Sequence, residues 1–114
     1  FDTKQLKYLY CAPHSFILGS DIGEMIEECK DVLGYIHIAD SLRPERTFFS
    51  GRYHPKVLPH QHLLAGKGDV DFPKLFGALR RMNYTGFLSI NPFSCFDKPL
   101  ETLRDSKPKI DALL

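Results

Sequence analysis

Residues 21–39, DIGEMIEECKDVLGYIHIA, decide the fold of this chain. Asp21 with Glu24 three residues later resembles a capping box, and the apolar residues that follow recur at helical spacing. A helix is therefore predicted to begin after Asp21 and to end before Gly34. Residues 35–39 then have the short, β-rich composition of a strand, and the connection to them is short. The stretch predicts a helix that leads directly back into a sheet.

The flanking segments continue this alternation of strands and helices. Residues 6–12 (LKYLYCA) are apolar and aromatic enough for a buried strand that stops at Pro13, and a loop is expected from there to Ser20. Residues 40–70 show no sustained periodicity and are predicted to form a long loop, a feature that is usually functional. Three elements are predicted further along: a helix capped by Asp71, a strand over residues 86–91, and a helical tail over residues 100–114 that Pro108 interrupts.

Alternation of this kind predicts an α/β fold with about three parallel strands joined by right-handed crossover helices. Three strands alone leave two open sheet edges, which further chain or another copy in a homo-oligomer would have to cover. The chain also begins at Phe1, almost inside its first predicted strand. We therefore expect residues 1–114 to be a single partial domain whose upstream strands are absent.

Composition excludes several classes of partner. Fifteen basic residues against fourteen acidic ones give a formal net charge of +1, so no strong field attracts nucleic acid or an anionic membrane. A run of about eighteen apolar residues and a signal peptide are both missing from this sequence. The three cysteines show no CxxC spacing, and a reducing compartment is their default. A cytoplasmic location without nucleic-acid or membrane partners is expected.

The strand pattern also predicts where a site lies. Alternate residues of a strand face opposite sides of a sheet, so His37 faces one side while Ile36 and Ile38 face the other. By the same parity Ser89 and Asn91 share a face. These polar side chains are predicted to look inward near the carboxyl ends of their strands, where barrel enzymes keep their active sites.

Three motifs carry a specific resemblance. Residues 35–43 (YIHIADSLR) resemble the strand-seven signature of the xylose-isomerase-like sugar isomerase/epimerase superfamily, residues 66–72 (GKGDVDF) its GxGxxDF entry into the last crossover helix, and residues 83–93 (NYTGFLSINPF) its last strand. The chain is thus similar to the C-terminal part of a (β/α)8 TIM barrel. Residues 14–19 and 60–62 most resemble a subgroup associated with inositol catabolism.

The resemblance implies an isomerase or epimerase that acts on a small sugar or polyol with a hydroxy-carbonyl group, using a divalent metal ion (Mn, Mg, Co or Zn). His37 would bind the metal and Arg43 would orient the substrate. The motif alignment places Cys11 and Asn91 where the family has an aspartate and a glutamate. Asn91 can coordinate through its amide oxygen but cannot abstract a proton, whereas a Cys11 thiolate favours Zn²⁺ over Mg²⁺. On its own, this part of a barrel is expected to be inactive.

Most of the other candidate residues have more than one interpretation. His14 is assigned to catalysis as a proton donor, with a second metal ligand or an exposed loop histidine as alternatives. His60 and His62 either point into one substrate-binding cleft or are exposed. Asp40 is assigned to substrate binding beside Arg43. Cys11 is a metal ligand or a small buried residue.

Two other functions are alternatives to a sugar isomerase or epimerase. A barrel that binds sugar but has lost proton transfer is consistent with Cys11 and Asn91 standing at carboxylate positions. A zinc phosphodiesterase that cuts damaged DNA resembles the same fold. That chemistry needs several His and acidic ligands with a basic face, and the near-neutral charge of this chain counts against it.

Overall fold

The alternation of strands and helices predicted from the sequence is confirmed. The computed structural model describes residues 4–43, 62–93 and 97–114. The elements, in chain order, are β1 (Tyr8–Cys11), α1 (Ala12–Ile17), α2 (Ile22–Glu28), β2 (Leu33–Ile38), α3 (Phe72–Arg81), β3 (Phe87–Ile90) and α4 (Pro99–Asp111). None of the helices within these ranges has the length and hydrophobicity needed to cross a membrane.

The three strands form one parallel sheet in the order β1-β2-β3. Cys11 of β1 pairs with His37 of β2, and His37 pairs with Ser89 of β3. Since paired residues of neighbouring strands point to the same face, these three side chains lie side by side at the carboxyl ends of the strands.

One face of the sheet carries the core. Tyr10, Ile36 and Ile38 are fully buried there, as the parity of the sequence predicted for the aliphatic positions of β2. They belong to the same apolar cluster as Leu75 and Phe76 of α3, whose apolar residues recur at helical spacing. Full burial of one such side chain contributes about 1.5–3 kcal/mol. This packing fixes which face of the sheet is left for the site.

The opposite face exposes a row of large side chains. Leu9, Tyr35 and Phe87 are register partners across the three strands and are 44%, 37% and 74% exposed. His37, two residues after Tyr35 in β2, lies on the same face of the sheet. Such a row corresponds to the face that points into the lumen of a barrel.

Three local expectations were wrong. Pro13 does not open a loop but sits in the first turn of α1, where a missing backbone N–H breaks no hydrogen bond. Pro108 does not interrupt α4, because it lies near the helix end and the ladder resumes with the Ala112 amide donating to its carbonyl at 3.1 Å. Gly34 lies inside β2 rather than before it. A Cβ there would meet the Cβ of Lys7 at 2.7 Å, so the close approach of the residue just before β1 requires glycine.

Candidate functional site

The junction between β1 and α1 brings a thiol and an imidazole together. Cys11 is the N-cap of α1, with extended backbone angles, and His14 follows three residues later in the first turn. Side chains at the N-cap and third helical positions lie on the same side of a helix start. The His14 Nδ1 atom is 2.8 Å from the Cys11 Sγ atom. Burial raises the pKa of the Cys11 thiol, while a hydrogen bond from the His14 backbone opposes that rise.

His62 reaches the same thiol from the long connection between β2 and α3. His62 and the residue after it are tied to the strand ends, since Leu63 pairs with Asp40 in an antiparallel bridge and the Phe93 amide donates to the His62 carbonyl at 2.8 Å. The His62 side chain is only 3% exposed. Its Nε2 atom lies 3.6 Å from Cys11 Sγ. These backbone hydrogen bonds thus position His62 at the carboxyl edge of the sheet.

The orientation of the His62 ring is fixed on three sides. Its Nδ1 atom lies 2.9 Å from the backbone carbonyl oxygen of Asn91, which can only accept a hydrogen bond. The proton of the neutral ring is therefore on Nδ1, and the Nε2 lone pair points toward Cys11. Phe93 stacks on the ring at 4.1 Å with an interplanar angle of 3°, and His14 meets it edge-on at 5.2 Å. Phe93 was not singled out from the sequence, because an aromatic residue after a strand carries no local signal of stacking.

A second polar pair lies beside this cluster on β2 and β3. The side-chain amide nitrogen of Asn91 is 3.0 Å from His37 Nδ1. With the amide nitrogen donating, the neutral His37 ring carries its proton on Nε2. With the amide turned over, its oxygen accepts from Nδ1 and leaves a lone pair on Nε2. The orientation of the Asn91 amide therefore decides whether His37 presents a donor or a ligand atom on its other nitrogen.

Asp40 holds together the loop that precedes α3. Its side chain is 1% exposed. The carboxylate accepts four backbone hydrogen bonds of 2.8–3.0 Å, which come from the amides of Ser41, Gly66, Gly68 and Val70. Gly68 allows this approach because a Cβ there would lie 2.5 Å from the Ser41 carbonyl oxygen. The geometry of this loop thus depends on a buried carboxylate and on a residue without a side chain.

Arg43 lies at the outer end of the same loop. It is exposed, and its backbone amide donates to the Asp69 carboxylate at 2.9 Å. The hydrogen bond fixes the point at which the Arg43 side chain leaves the barrel edge. Substrate binding by Arg43 stays a prediction.

The structure gathers most of the predicted site residues at one edge of the sheet. Cys11, His14 and His62 come together, with their ligand atoms within 4.8 Å of one another. His37, which the alignment paired with Cys11 as a metal ligand, is the register partner of Cys11 and is hydrogen-bonded to Asn91. His60 lies outside the described residues. The roles assigned to these residues stay predictions. One sequence signal did indicate the cluster, namely the Cys-x-x-His spacing of residues 11–14 at a strand end.

Comparison with known families identifies the family to which this fold belongs. A family model described as a xylose isomerase-like TIM barrel matches residues 1–109. The chain belongs to this family. The resemblance drawn from the three sequence motifs is thereby confirmed, as is the C-terminal part of a TIM barrel as its fold class.

Relatives of this xylose isomerase-like chain are sugar epimerases. The 3-dehydro-D-guloside 4-epimerase of Escherichia coli strain K12 is 28% identical over 105 residues, which cover 92% of this chain and 33% of that enzyme. A crystal structure of 3-keto-D-glucoside 4-epimerase from E. coli in its apo form is 25% identical with a TM-score of 0.63, covering 93% of this chain and 33% of that one.

A third similarity concerns the fold alone. The crystal structure of a D-tagatose 3-epimerase-like protein matches with a TM-score of 0.71 at 20% identity, covering 99% of this chain and 36% of that one. The xylose isomerase-like chain thus spans about a third of the length of the relatives it matches. Its three strands correspond to a partial barrel.

Proposed function

We propose that the protein containing this chain is a sugar epimerase or isomerase that acts on a small hydroxy-carbonyl substrate in carbohydrate metabolism, in the cytoplasm. One observation carries the proposal. The carboxyl edge of the sheet collects a thiol, three imidazoles and an amide in a chain whose curated relative is a 3-dehydro-D-guloside 4-epimerase. Barrel enzymes place their active sites at this edge.

An epimerase requires groups that transfer protons and groups that bind the oxygen atoms of the substrate. Epimerisation beside a carbonyl removes a proton from carbon and returns it to the opposite face, while negative charge passes to the carbonyl oxygen. The Asn91 amide cannot take up a proton. We therefore assign Asn91 to holding the tautomer of His37 through their 3.0 Å hydrogen bond. His37 then presents its other nitrogen to the substrate or to a metal ion.

A divalent metal ion, when bound, holds substrate oxygens and stabilises the charge that develops on them. The donor atoms that the described residues bring together are one thiol sulfur and two imidazole nitrogens. Mg²⁺ prefers oxygen ligands, whereas Zn²⁺ and Co²⁺ accept sulfur and nitrogen. The residues therefore fit a divalent ion of the softer kind, and Cys11, His14 and His62 would hold it.

Two further residues shape the substrate-binding edge in this proposal. Arg43 contacts the hydroxyl or carbonyl oxygens of the sugar with its guanidinium group, which offers several donors in one plane. Asp40 acts by positioning, because its carboxylate already accepts four backbone hydrogen bonds. The substrate is a small molecule.

The experiment that tests this function measures the formation of an epimer or isomer. The full-length gene product is incubated with a panel of hydroxy-carbonyl sugars, and the products are separated by chromatography. We expect one sugar to be converted and turnover to be lost in His37→Ala. Ser89→Ala, at the same level of β3, is the matched control and should retain turnover. Tight binding of a sugar without conversion would refute the proposal in favour of a sugar-binding barrel.

A further inference from the structure

We infer that the sugar taken by this protein carries no phosphate, because the carboxylate of Asp40 already fills the anion-binding loop that precedes α3. Only the premise that the substrate is a sugar rests on the proposed function. Whether the loop takes an anion is measured independently of catalysis.

Residues 66–70 form an anion nest, a concave run of backbone N–H groups that point to one place. Gly66 has a φ of +82°, the left-handed conformation that such nests use. The amides of Gly66 and Gly68 converge on one oxygen of Asp40 at 2.9 and 2.8 Å, and the Val70 amide donates to the other at 3.0 Å. Nests commonly bind the phosphate of a ligand. Here the oxygens come from a side chain of the protein that is only 1% exposed.

The backbone amides that follow the nest are also occupied. Four of them have acceptors inside the protein at 2.9–3.0 Å, namely those of Lys67, Asp69, Phe72 and Lys74. Pro73 has no N–H to offer. Barrel enzymes frequently hold a substrate phosphate on the loops after their last two strands and on a helix N-terminus. The loop after β2 therefore has its place for a phosphate already filled.

The end of β3 provides no replacement among the residues that the structure describes there. The Asn91 amide donates to the Ile38 carbonyl at 3.0 Å. The Phe93 amide donates to the His62 carbonyl at 2.8 Å, and Pro92 between them has no N–H. Residues 91–93 therefore present no backbone donor to a phosphate.

The charges around the nest disfavour a further anion. Asp69 and Asp71 add two carboxylates to that of Asp40, and one of the two lysines in residues 66–74, Lys74, is ion-paired at the N-cap of α2. A phosphate monoester would bring about two more negative charges to this edge of the sheet. The hydroxyl and carbonyl oxygens of an uncharged sugar bring no such repulsion, and the Arg43 guanidinium can donate to them.

The test uses the full-length wild-type protein and matched pairs of a hydroxy-carbonyl sugar and its phosphate monoester. Because like charges in a binding site are strongly unfavourable, kcat/KM for the free sugar should exceed that for its phosphate by about 100-fold or more. NMR of the Gly66 and Gly68 amides is the measurement that needs no turnover, and millimolar inorganic phosphate should leave both signals unmoved. Equal or faster conversion of the phosphate monoester, or phosphate-dependent shifts at both glycines, would overturn the inference.

Removing the carboxylate should open the nest. Asp40→Gly leaves four amides without their acceptor, so it should melt at a lower temperature than the wild-type protein. Formate, a carboxylate small enough for the vacated space, should raise that temperature and slow hydrogen exchange at Gly66 and Gly68. Asp31→Gly loses an exposed carboxylate and is the matched control, with no response to formate beyond that of the wild-type protein.

The outcomes separate the nest from the proposed function. An Asp40→Gly variant that folds but does not respond to formate would overturn the nest, and with it the inference. If Asp40→Gly does not fold, the phosphate titration of the wild-type protein decides. Failure to convert either member of any sugar pair would refute the proposed function alone, since the titration still shows whether the loop accepts phosphate.

Discussion

Replacing Asp40 by asparagine tests whether the loop beside the site depends on a buried carboxylate. Each oxygen of Asp40 accepts two backbone amides, those of Ser41 and Val70 on Oδ1 and those of Gly66 and Gly68 on Oδ2. An asparagine has the same shape but offers only one oxygen. Its amide nitrogen must therefore face two backbone donors, whichever way it is turned.

The size of the effect follows from those two lost bonds. A buried donor left without a partner costs about 1–3 kcal/mol, so the two together would cost about 2–6 kcal/mol. The amide should turn its nitrogen toward Gly66 and Gly68, because Gly66 is exposed and water can reach it. We therefore expect the free energy of unfolding of Asp40→Asn to fall by about 2–4 kcal/mol.

Chemical denaturation of the full-length protein measures that loss, and hydrogen exchange at the Gly66 and Gly68 amides locates it. Asp31→Asn removes a carboxylate from an exposed turn and is the matched control, with an expected change of less than about 0.5 kcal/mol. An Asp40→Asn variant with wild-type stability and unchanged exchange at both glycines would refute this account of the loop.

Three further predictions concern the scaffold. Leu75→Ala removes a fully buried side chain from the core and should lower the free energy of unfolding by about 2–5 kcal/mol in denaturation experiments, whereas Leu100→Ala, 68% exposed, should change it by less than about 0.5 kcal/mol. Gly68→Ala places a methyl group 2.5 Å from the Ser41 carbonyl oxygen, so the loop must shift; crystal structures or exchange data showing an unmoved loop would contradict this expectation. Asp71→Ala loses the N-cap bond to the Lys74 amide at 2.9 Å and should cost about 1 kcal/mol by thermal melting, while Asp71→Asn, which can still accept, should retain most of it.

Local patterns were sufficient to predict the sheet. In β2 the alternation of Ile36, His37 and Ile38 separates a core face from a polar face, and the structure buries both isoleucines while His37 stays half-buried. Period-two alternation is a property of every strand, so it needs no knowledge of the rest of the chain. The N-caps at Asp21 and Asp71 were equally local, and both accept the expected backbone hydrogen bond.

The approach of His62 to Cys11 could not be predicted in the same way, although the Cys-x-x-His spacing indicated the pairing of Cys11 with His14. His62 reaches Cys11 only because Leu63 pairs with Asp40 and Phe93 pairs with His62, and these contacts join distant parts of the chain. No period in the sequence encodes such pairings. The four backbone amides around Asp40 were equally hidden, since an aspartate at a strand end is as suitable for a sugar hydroxyl as for backbone amides.

Exchange of a carbon-bound proton with solvent tests most directly whether this barrel epimerises a sugar. The full-length protein is incubated in deuterium oxide with the hydroxy-carbonyl sugar that it binds most tightly, and proton NMR follows each carbon of the sugar. The proposed function predicts that deuterium enters at a single carbon, beside the carbonyl group, while the epimer or isomer appears, and that neither change occurs with His37→Ala. A sugar that is bound tightly by the wild-type protein yet gains no deuterium and yields no new isomer would contradict it.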